Sequence, residues 1–201
     1  MILRFIDAKR DLYRRLAKQE GYRSRAAYKL IQLDKKYKLI MPGNIIIDFG
    51  AAPGGWMQIS SERVGEKGLV LGIDLKCVTP FAENTMILTY DIFGPAISEK
   101  ILSILPRKAD VVLSDLSPDI IGVWQVDHLR QIDMVLKVVD LLPHILQLNG
   151  SAILKIFEGE ATRSFLSTVN DIFSKVHISK PPASRNKSSE LYLVCKNYRV
   201  N

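Results

Sequence analysis

Short apolar runs alternate with amphipathic stretches along the central part of this chain. The runs at 44–49, 68–75, 85–90, 109–116 and 151–157 are rich in Ile, Val and Leu, which is typical of buried strands. Helical spacing of apolar residues fills the intervals at about 55–64, 95–105 and 125–148. Because the strands are apolar on both faces and alternate with helices, the pattern predicts a mostly parallel sheet with helices on both faces.

Both ends of the chain add elements to this alternation. Two further strands are predicted near 175–180 and 190–196, on either side of the irregular loop "KPPASRNKSS". The predicted fold is therefore α/β and Rossmann-like: a doubly wound sheet of seven strands with one antiparallel strand at its end. Basic helices are predicted at 8–20 and 24–38, with Ser24 as the N-cap of the second.

Composition favours one domain. A chain of 201 residues with 47% hydrophobic content can bury one large core, so 1–201 is predicted to be a single domain, with 1–40 as a basic helical extension packed on it. No apolar run reaches the roughly 18 residues that cross a bilayer, and the N-terminus lacks the apolar segment of a secretory signal. Cys77 and Cys195 are expected to be reduced thiols. We therefore expect a cytoplasmic protein without a membrane partner, and a monomer by default.

Positive charge is concentrated at the two ends. The net charge of +7 divides into +8 for residues 1–40, −6 for 41–174 and +5 for 175–201. Such clustering favours a polyanionic partner, usually nucleic acid, although lysine-rich solvated helices are the simpler alternative. Candidate phosphate contacts are Arg4, Lys9, Arg10, Arg14, Arg15, Lys18, Arg23, Arg25, Lys180, Arg185 and Lys187, with Tyr13 and Tyr22 as candidate stacking partners for bases.

The stretch "IIIDFGAAPGGWMQIS" at 45–60 is typical of a buried strand, a tight turn and the start of a helix. It lacks the lysine of a phosphate-binding P-loop. Gly50, Ala52 and Gly55 make it only a variant of the dinucleotide fingerprint, and Pro53 removes a backbone N–H where a pyrophosphate needs donors. The turn is better suited to a ligand that is not held by its phosphates, which disfavours a nicotinamide-dependent oxidoreductase.

Three aspartates follow predicted strands. Asp74 is placed to accept hydrogen bonds from ribose hydroxyls, Asp91 to face an adenine amino group, and Asp115 ends the fourth strand. All three are expected at the carboxyl edge of the sheet, where an adenosine with a cationic tail fits an acidic rim. S-adenosylmethionine (AdoMet) is such a molecule. The histidines show no metal-ligand spacing, so no metal is expected.

The segments "SRAAYKL", "DFGAAPGGW", "GIDL", "DVVLSDLSP", "LKIF" and "SSELYLV" together resemble the FtsJ-type ribose 2′-O-methyltransferases, across nearly the whole chain. The resemblance implies an AdoMet-dependent Rossmann-like fold and a catalytic tetrad at Lys29, Asp115, Lys155 and Glu190. It also implies cofactor contacts at Gly54, Trp56, Asp74, Asp91 and Asp115. Their neighbours in the same turn and strand ends complete the predicted cofactor site: Gly50, Pro53, Gly55, Leu75 and Ile92.

Methyl transfer to a ribose hydroxyl needs positioning and a base. We expect Lys155 to be the general base, because it interrupts an apolar strand and burial or a second ammonium favours a neutral lysine. Asp115 is expected to orient Lys155 and to lie near the sulfonium, Lys29 to place or polarise the ribose, and Glu190 to complete the network.

The predicted function is AdoMet-dependent 2′-O-methylation of a uridine in large-subunit (23S-type) ribosomal RNA. A tRNA ribose methyltransferase of the same family is a close alternative, because the tetrad does not choose between the two RNAs. A non-catalytic RNA-binding factor for ribosome assembly is the alternative from another class, disfavoured by the intact tetrad.

Overall fold

The computed structural model describes residues 12–185 and 188–199, and the fold is built on one seven-stranded sheet. Its strands lie in the order β3-β2-β1-β4-β5-β7-β6. Their bounds are β1 Ile45–Phe49, β2 Leu69–Asp74, β3 Thr85–Thr89, β4 Ala109–Ser114, β5 Leu146–Phe157, β6 Phe173–Ser179 and β7 Glu190–Tyr198. Neighbouring strands from β3 to β5 are parallel, whereas β7 is antiparallel to both β5 and β6.

The sheet confirms the predicted fold class, with two corrections. The antiparallel strand β7 lies second from the edge, not at the end, because β6 pairs outside it and closes the sheet. Strand β5 begins at Leu146 instead of 151, because helix α5 passes into it without a connecting loop. Periodicity predicts a strand but carries little information about which strands pair with it.

Helices cover both faces of the sheet. Residues 12–19 are helical (α1), followed by α2 Ala27–Tyr37, α3 Gly55–Val64, α4 Ile97–Ile104, α5 Trp124–Ile145 and α6 Thr162–Ile172. Helix α6 was not predicted, although Phe165 and Val169 carry its buried face at i,i+4 spacing. Ser24 as a helix N-cap is wrong: α2 has Ala26 at its N-cap, and the buried Ser24 hydroxyl has no hydrogen-bond partner within the part of the chain that the structure describes.

Two hydrophobic cores lie on the two faces of the sheet. Along β1, Ile45, Ile47 and Phe49 point into the core beneath α4, α5 and α6, and Ile46 points into the core beneath α2 and α3. This alternation follows from the period of two along a strand. No helix within residues 12–185 and 188–199 is long and apolar enough to cross a membrane.

The antiparallel direction of β7 determines which residues meet at the edge of the sheet formed by the carboxyl ends of the parallel strands. Phe157, the last residue of β5, pairs with Glu190, the first residue of β7, and Lys155 pairs with Tyr192. The start of β7 therefore lies beside the carboxyl ends of the parallel strands. That edge is where ligands bind in open α/β sheets.

Candidate active site

Four side chains predicted from separate parts of the chain meet at this edge. Lys29 Nζ lies 2.7 and 2.8 Å from the two carboxylate oxygens of Glu190. Lys155 Nζ lies 3.3 Å from Asp115 Oδ1 and donates a 2.6 Å hydrogen bond to the Asp115 backbone carbonyl. Lys29 Nζ is 4.0 Å from the same Asp115 oxygen. The structure thus brings Lys29, Asp115, Lys155 and Glu190 into one cluster of two ammonium groups and two carboxylates.

Each member is placed by a different element. Lys155 interrupts the apolar face of β5, Asp115 follows β4 directly, and Glu190 opens β7. Lys29 lies on α2, whose Ala27, Leu30 and Leu33 pack against the sheet. All four side chains are largely withdrawn from solvent, between 6% and 16% exposed. Buried charges are stable only when they are paired, so the ion pairs among these four side chains explain how all four can be buried.

Tyr192 belongs to the same cluster and was not predicted. Its hydroxyl accepts a 2.9 Å hydrogen bond from Lys29 Nζ and donates a 2.8 Å bond to Asp115 Oδ1. A signal was present in "SSELYLV", because residues two apart in a strand share a face. Glu190 and Tyr192 are such a pair, but only the register with β5 sets the Tyr192 side chain beside Lys155.

The cluster shifts the pKa values of two of its members in opposite directions. Burial alone would raise the pKa of the Asp115 carboxyl, but the Lys155 and Lys29 ammonium groups outweigh burial and hold it below its usual range. Burial, together with the Asp115 and Glu190 carboxylates, raises the pKa of Tyr192 well above its ordinary value. At neutral pH Asp115 is therefore an anion and Tyr192 a neutral hydrogen-bonding phenol.

The cluster opens into a pocket of about 260 Å³ lined by Arg25, Ala26, Lys29, Arg185, Ser188 and Glu190. The loop between β6 and β7 forms one wall, since Ser184 Oγ donates to Glu190 Oε1 at 2.8 Å. Arg25 Nη2 ties the same loop to the start of α2 by donating to the Ala183 carbonyl at 2.7 Å. Cationic side chains thus flank the entrance to the cluster.

The glycine turn lies between β1 and α3 at the same edge. Gly54 is the N-cap of α3 with φ +109°, a conformation that disfavours any side chain, and a Cβ there would lie 2.9 Å from Arg23 Cδ. At Gly50, also with positive φ, a Cβ would lie 2.9 Å from the Leu116 backbone nitrogen, so the turn packs directly on the residues after Asp115. Pro53 and Gly55 complete the turn, and Gly55 is buried against Ser24.

The remaining predicted cofactor residues fit an adenosine compound to different degrees. Asp74 Oδ2 accepts the Ala52 N–H and Oδ1 accepts the Lys76 N–H, which fixes the carboxylate and leaves lone pairs for ribose hydroxyls. Leu75 is 69% exposed beside it. Asp91 is exposed and accepts the Phe93 N–H, and the exposed Phe93 ring offers an apolar surface. These polar and apolar groups suit a ribose and an adenine.

Two predicted cofactor residues with large side chains, Trp56 and Ile92, are buried. Trp56 is 3% exposed, donates from Nε1 to the Ala26 carbonyl at 2.8 Å and lies 5.8 Å from the Tyr192 ring. Its observed contacts are therefore with α2 and the lysine cluster. Ile92 is buried in the core beneath α4 and α5. A contact of either residue with a cofactor stays a prediction.

Asp48, in the strand before the turn, was also missed by the sequence reasoning. It is fully buried, and neither carboxylate oxygen has a hydrogen-bond partner among the described residues. Burial, reinforced by the Asp115 and Asp74 carboxylates, raises the pKa of Asp48 well above its ordinary value. Its signal in the sequence was an acid inside the apolar run "IIIDF".

The predicted phosphate contacts are only partly described. Arg4, Lys9, Arg10 and Lys187 lie outside the described residues. Arg14, Arg15 and Lys18 are exposed on α1, and Lys180 donates to the Ser188 carbonyl. Arg23 is bound to the Thr79 carbonyl and lies over the Phe81 ring. Tyr13 and Tyr22 both pack on Tyr28, so their stacking on bases stays a prediction.

The fold and site together define a class: a Rossmann-like methyltransferase fold with a lysine–carboxylate cluster beside its glycine turn. The family model described as FtsJ-like methyltransferase matches residues 22–198. The chain belongs to this FtsJ-like methyltransferase family.

The chain is similar to named archaeal proteins and to a solved structure. It is 43% identical to the ribosomal RNA large subunit methyltransferase E of Methanocaldococcus jannaschii, over 96% of this chain and 80% of the relative. It is 42% identical to the protein of the same name from Cenarchaeum symbiosum, over 98% of this chain and 100% of the relative. A crystal structure of a ribosomal RNA methyltransferase from Plasmodium falciparum superposes with a TM-score of 0.80 at 35% identity, covering 88% of this chain and 98% of that one.

Proposed function

We propose that this protein is an AdoMet-dependent methyltransferase that modifies the 2′-hydroxyl of a uridine ribose in large-subunit ribosomal RNA. The observation that carries the proposal is the buried cluster in which Lys155 and Lys29 share Asp115 beside the glycine turn. The names of the relatives, each a large-subunit ribosomal RNA methyltransferase, support this RNA as the substrate.

The cofactor side of the site is assigned to the turn and the strand ends. Asp74 would hold the ribose of AdoMet, with Leu75, Asp91 and Phe93 around the adenine. When bound, AdoMet supplies an electrophilic methyl group on a sulfonium. Asp115 lies between the glycine turn and Lys155, and its lowered pKa keeps it ionised next to that positive charge.

The acceptor side is assigned to the two lysines. Glu190 supplies a carboxylate for Lys29, and Tyr192 adds a further hydrogen bond, so Lys29 is held in one position as a cation facing the pocket. In that position it can bind the oxygens of the target ribose. Lys155, whose only ion-pair partner among the described residues is Asp115, is assigned to accept the proton that the 2′-hydroxyl loses when its oxygen attacks the methyl carbon; this step requires that the Lys155 ammonium has first released one proton to solvent.

The Lys155→Ala variant tests this assignment in a tritiated-methyl transfer assay on ribosomal subunits and on tRNA. Because a positioned general base contributes about 10²–10⁴-fold, turnover should fall at least 100-fold while AdoMet still binds in a calorimetric titration. Lys67→Ala, at an exposed lysine in the loop before β2, is the matched control and should keep wild-type turnover.

The outcomes separate the alternatives. Near-wild-type turnover by Lys155→Ala removes lysine from the role of base. Label on tRNA alone supports a tRNA ribose methyltransferase of the same family. AdoMet binding without transfer to either RNA by the wild-type protein favours a non-catalytic assembly factor.

A further inference from the structure

A group of basic side chains lies beyond the pocket, on the α2 side of the sheet. We define the β6–β7 basic patch as Lys36, Lys175, His177 and Lys196, on the side of the sheet where Tyr37 of α2 packs. His177 stacks on Tyr37 with ring centroids 5.5 Å apart, and Lys36 Nζ lies 5.0 Å from the Tyr37 centroid. Lys196 Nζ donates to the Tyr37 backbone carbonyl. Val176 points into the opposite core, so its neighbours Lys175 and His177 face α2.

The patch contains a like-charge pair. Lys175 and Lys196 are directly opposite each other in the register of β6 and β7. Side chains in such positions have Cβ atoms only about 5 Å apart, and like charges there are destabilising. Within the described part of the chain, none of the three lysines forms an ion pair with a carboxylate. The fold therefore carries uncompensated positive charge at a position where it costs stability.

A strip of polar side chains connects the patch to the pocket. Lys29, Gln32 and Lys36 are spaced i, i+3 and i+7 on α2 and so lie on one face of the helix. Gln32 Oε1 accepts the Ala183 N–H at 2.8 Å, which holds this face against the β6–β7 loop. Lys36 is about 10 Å beyond Lys29 along the helix, from a rise of ~1.5 Å per residue. The pocket with its cations and the patch are thus two ends of one surface.

We propose that the β6–β7 basic patch binds the sugar–phosphate backbone of the substrate RNA at nucleotides outside the target, and so holds the RNA strand along α2 toward the pocket. The identity of the polyanion rests on the proposed function. RNA is favoured over an acidic protein segment because the strip leads into a pocket lined by further cations, and a phosphate backbone is a continuous polyanion that can follow it.

The double variant Lys175→Gln/Lys196→Gln tests the patch by RNA binding in the absence of AdoMet. The RNA is a fluorescently labelled single-stranded oligonucleotide with a sequence from the large-subunit ribosomal RNA, and its affinity is measured by fluorescence anisotropy over a series of salt concentrations. Loss of two phosphate contacts should lower the slope of log affinity against log salt by about 1.4 for single-stranded RNA, at roughly 0.7 per contact. In turnover assays KM for RNA should rise about tenfold or more at low salt, with kcat at saturating RNA unchanged, because the patch does not touch the reacting atoms.

The matched control is Lys67→Gln/Lys108→Gln. Both lysines are exposed and precede strands β2 and β4, at the sheet edge opposite the pocket, and Lys108, like Lys196, donates to a backbone carbonyl. This pair removes the same net charge and should change the salt slope little. A structural readout comes from urea unfolding: relief of the like-charge pair should leave the patch variant as stable as the wild type or more so.

If the folded patch variant has the RNA affinity and the salt slope of the wild type, the proposal is overturned, and a protein partner becomes the better explanation of the patch. A loss equal to that of the control pair would reduce the effect to net charge, which also overturns it. Binding and methyl transfer are measured separately, so a wild-type protein that binds RNA through the patch but transfers no methyl group contradicts the proposed function and not the patch.

Discussion

At the residue scale, the candidate site depends on a single phenol that joins its two halves. Tyr192 accepts from Lys29 and donates to Asp115, and its ring packs on Trp56. A hydrogen bond to a charged group contributes about 1.5–3 kcal/mol, so the two bonds of this bridge also stabilise the fold around the lysines. Trp56 in turn is bound to the backbone just before α2. The turn and the lysine cluster are therefore mechanically connected through two aromatic side chains.

Asp48 gives a prediction about the pH dependence of stability. Its folded pKa is raised, so its contribution to stability is fully present below the unfolded pKa and is lost as pH rises through the folded pKa. Asp48→Asn removes this loss. The stability of the variant relative to the wild type should therefore increase with pH, by up to about 1.4 kcal/mol per pH unit between the two pKa values.

Urea unfolding of both proteins from about pH 4 to pH 8 measures this difference. Asp115 and Asp74, whose carboxylates reinforce the raised pKa of Asp48, are present in both proteins, so the comparison measures Asp48 together with its coupling to them. A relative stability that stays constant or decreases with pH would show that Asp48 is ionised in the folded protein.

At the element scale, the glycine turn and the antiparallel strand β7 build the two halves of the site. The turn needs left-handed backbone at Gly54 to begin α3 against β1. Strand β7 needs its antiparallel direction, because only then does Glu190 meet the carboxyl end of β5. A parallel β7 would place Glu190 at the opposite edge of the sheet. The direction of one strand thus determines whether the lysine cluster exists.

Gly54→Ala tests the turn. A side chain there adds left-handed strain of about 1–2 kcal/mol and crowds Arg23, so the turn should shift and AdoMet affinity should fall about tenfold, which corresponds to ~1.4 kcal/mol. Calorimetric titration with AdoMet gives the affinity. Gly122→Ala is the control, because Gly122 also has positive φ (+86°) but a Cβ there meets no atom within 4 Å. Equal AdoMet affinities for Gly54→Ala and Gly122→Ala would show that the conformation of the turn does not affect AdoMet binding.

At the scale of the whole molecule, local patterns predicted the elements and long-range pairing decided the site. The apolar runs from "NIIIDF" to "SAILKIF" were sufficient for five strands, because a strand buried on both faces needs apolar residues throughout. The place of β7 inside β6 and the role of Tyr192 were not predicted, because both depend on register between strands distant in sequence. Lys155 was recognisable as a lysine in an apolar strand, whereas Glu190 rested on family resemblance alone.

Basic residues from the two ends of the chain lie on one surface of the folded molecule. The part of the N-terminal segment that the structure describes supplies Arg25, Lys29 and Lys36 from one side, and the C-terminal strands supply Lys175 and Lys196 from the other. Charges that lie at opposite ends of the sequence therefore form one surface around the pocket. The acidic middle of the chain holds Asp74 and Asp91 on the side that we propose for the cofactor.

The most direct test of the central claim is to map the methyl group that the purified wild-type protein adds to large-subunit ribosomal RNA. Ribosomal subunits are incubated with labelled AdoMet, and the labelled nucleotide is released by nuclease digestion and identified by mass spectrometry. We expect one modified nucleotide, a uridine with the methyl group on the ribose 2′-oxygen. Label on a base, or transfer to no RNA by protein that binds AdoMet, would contradict it.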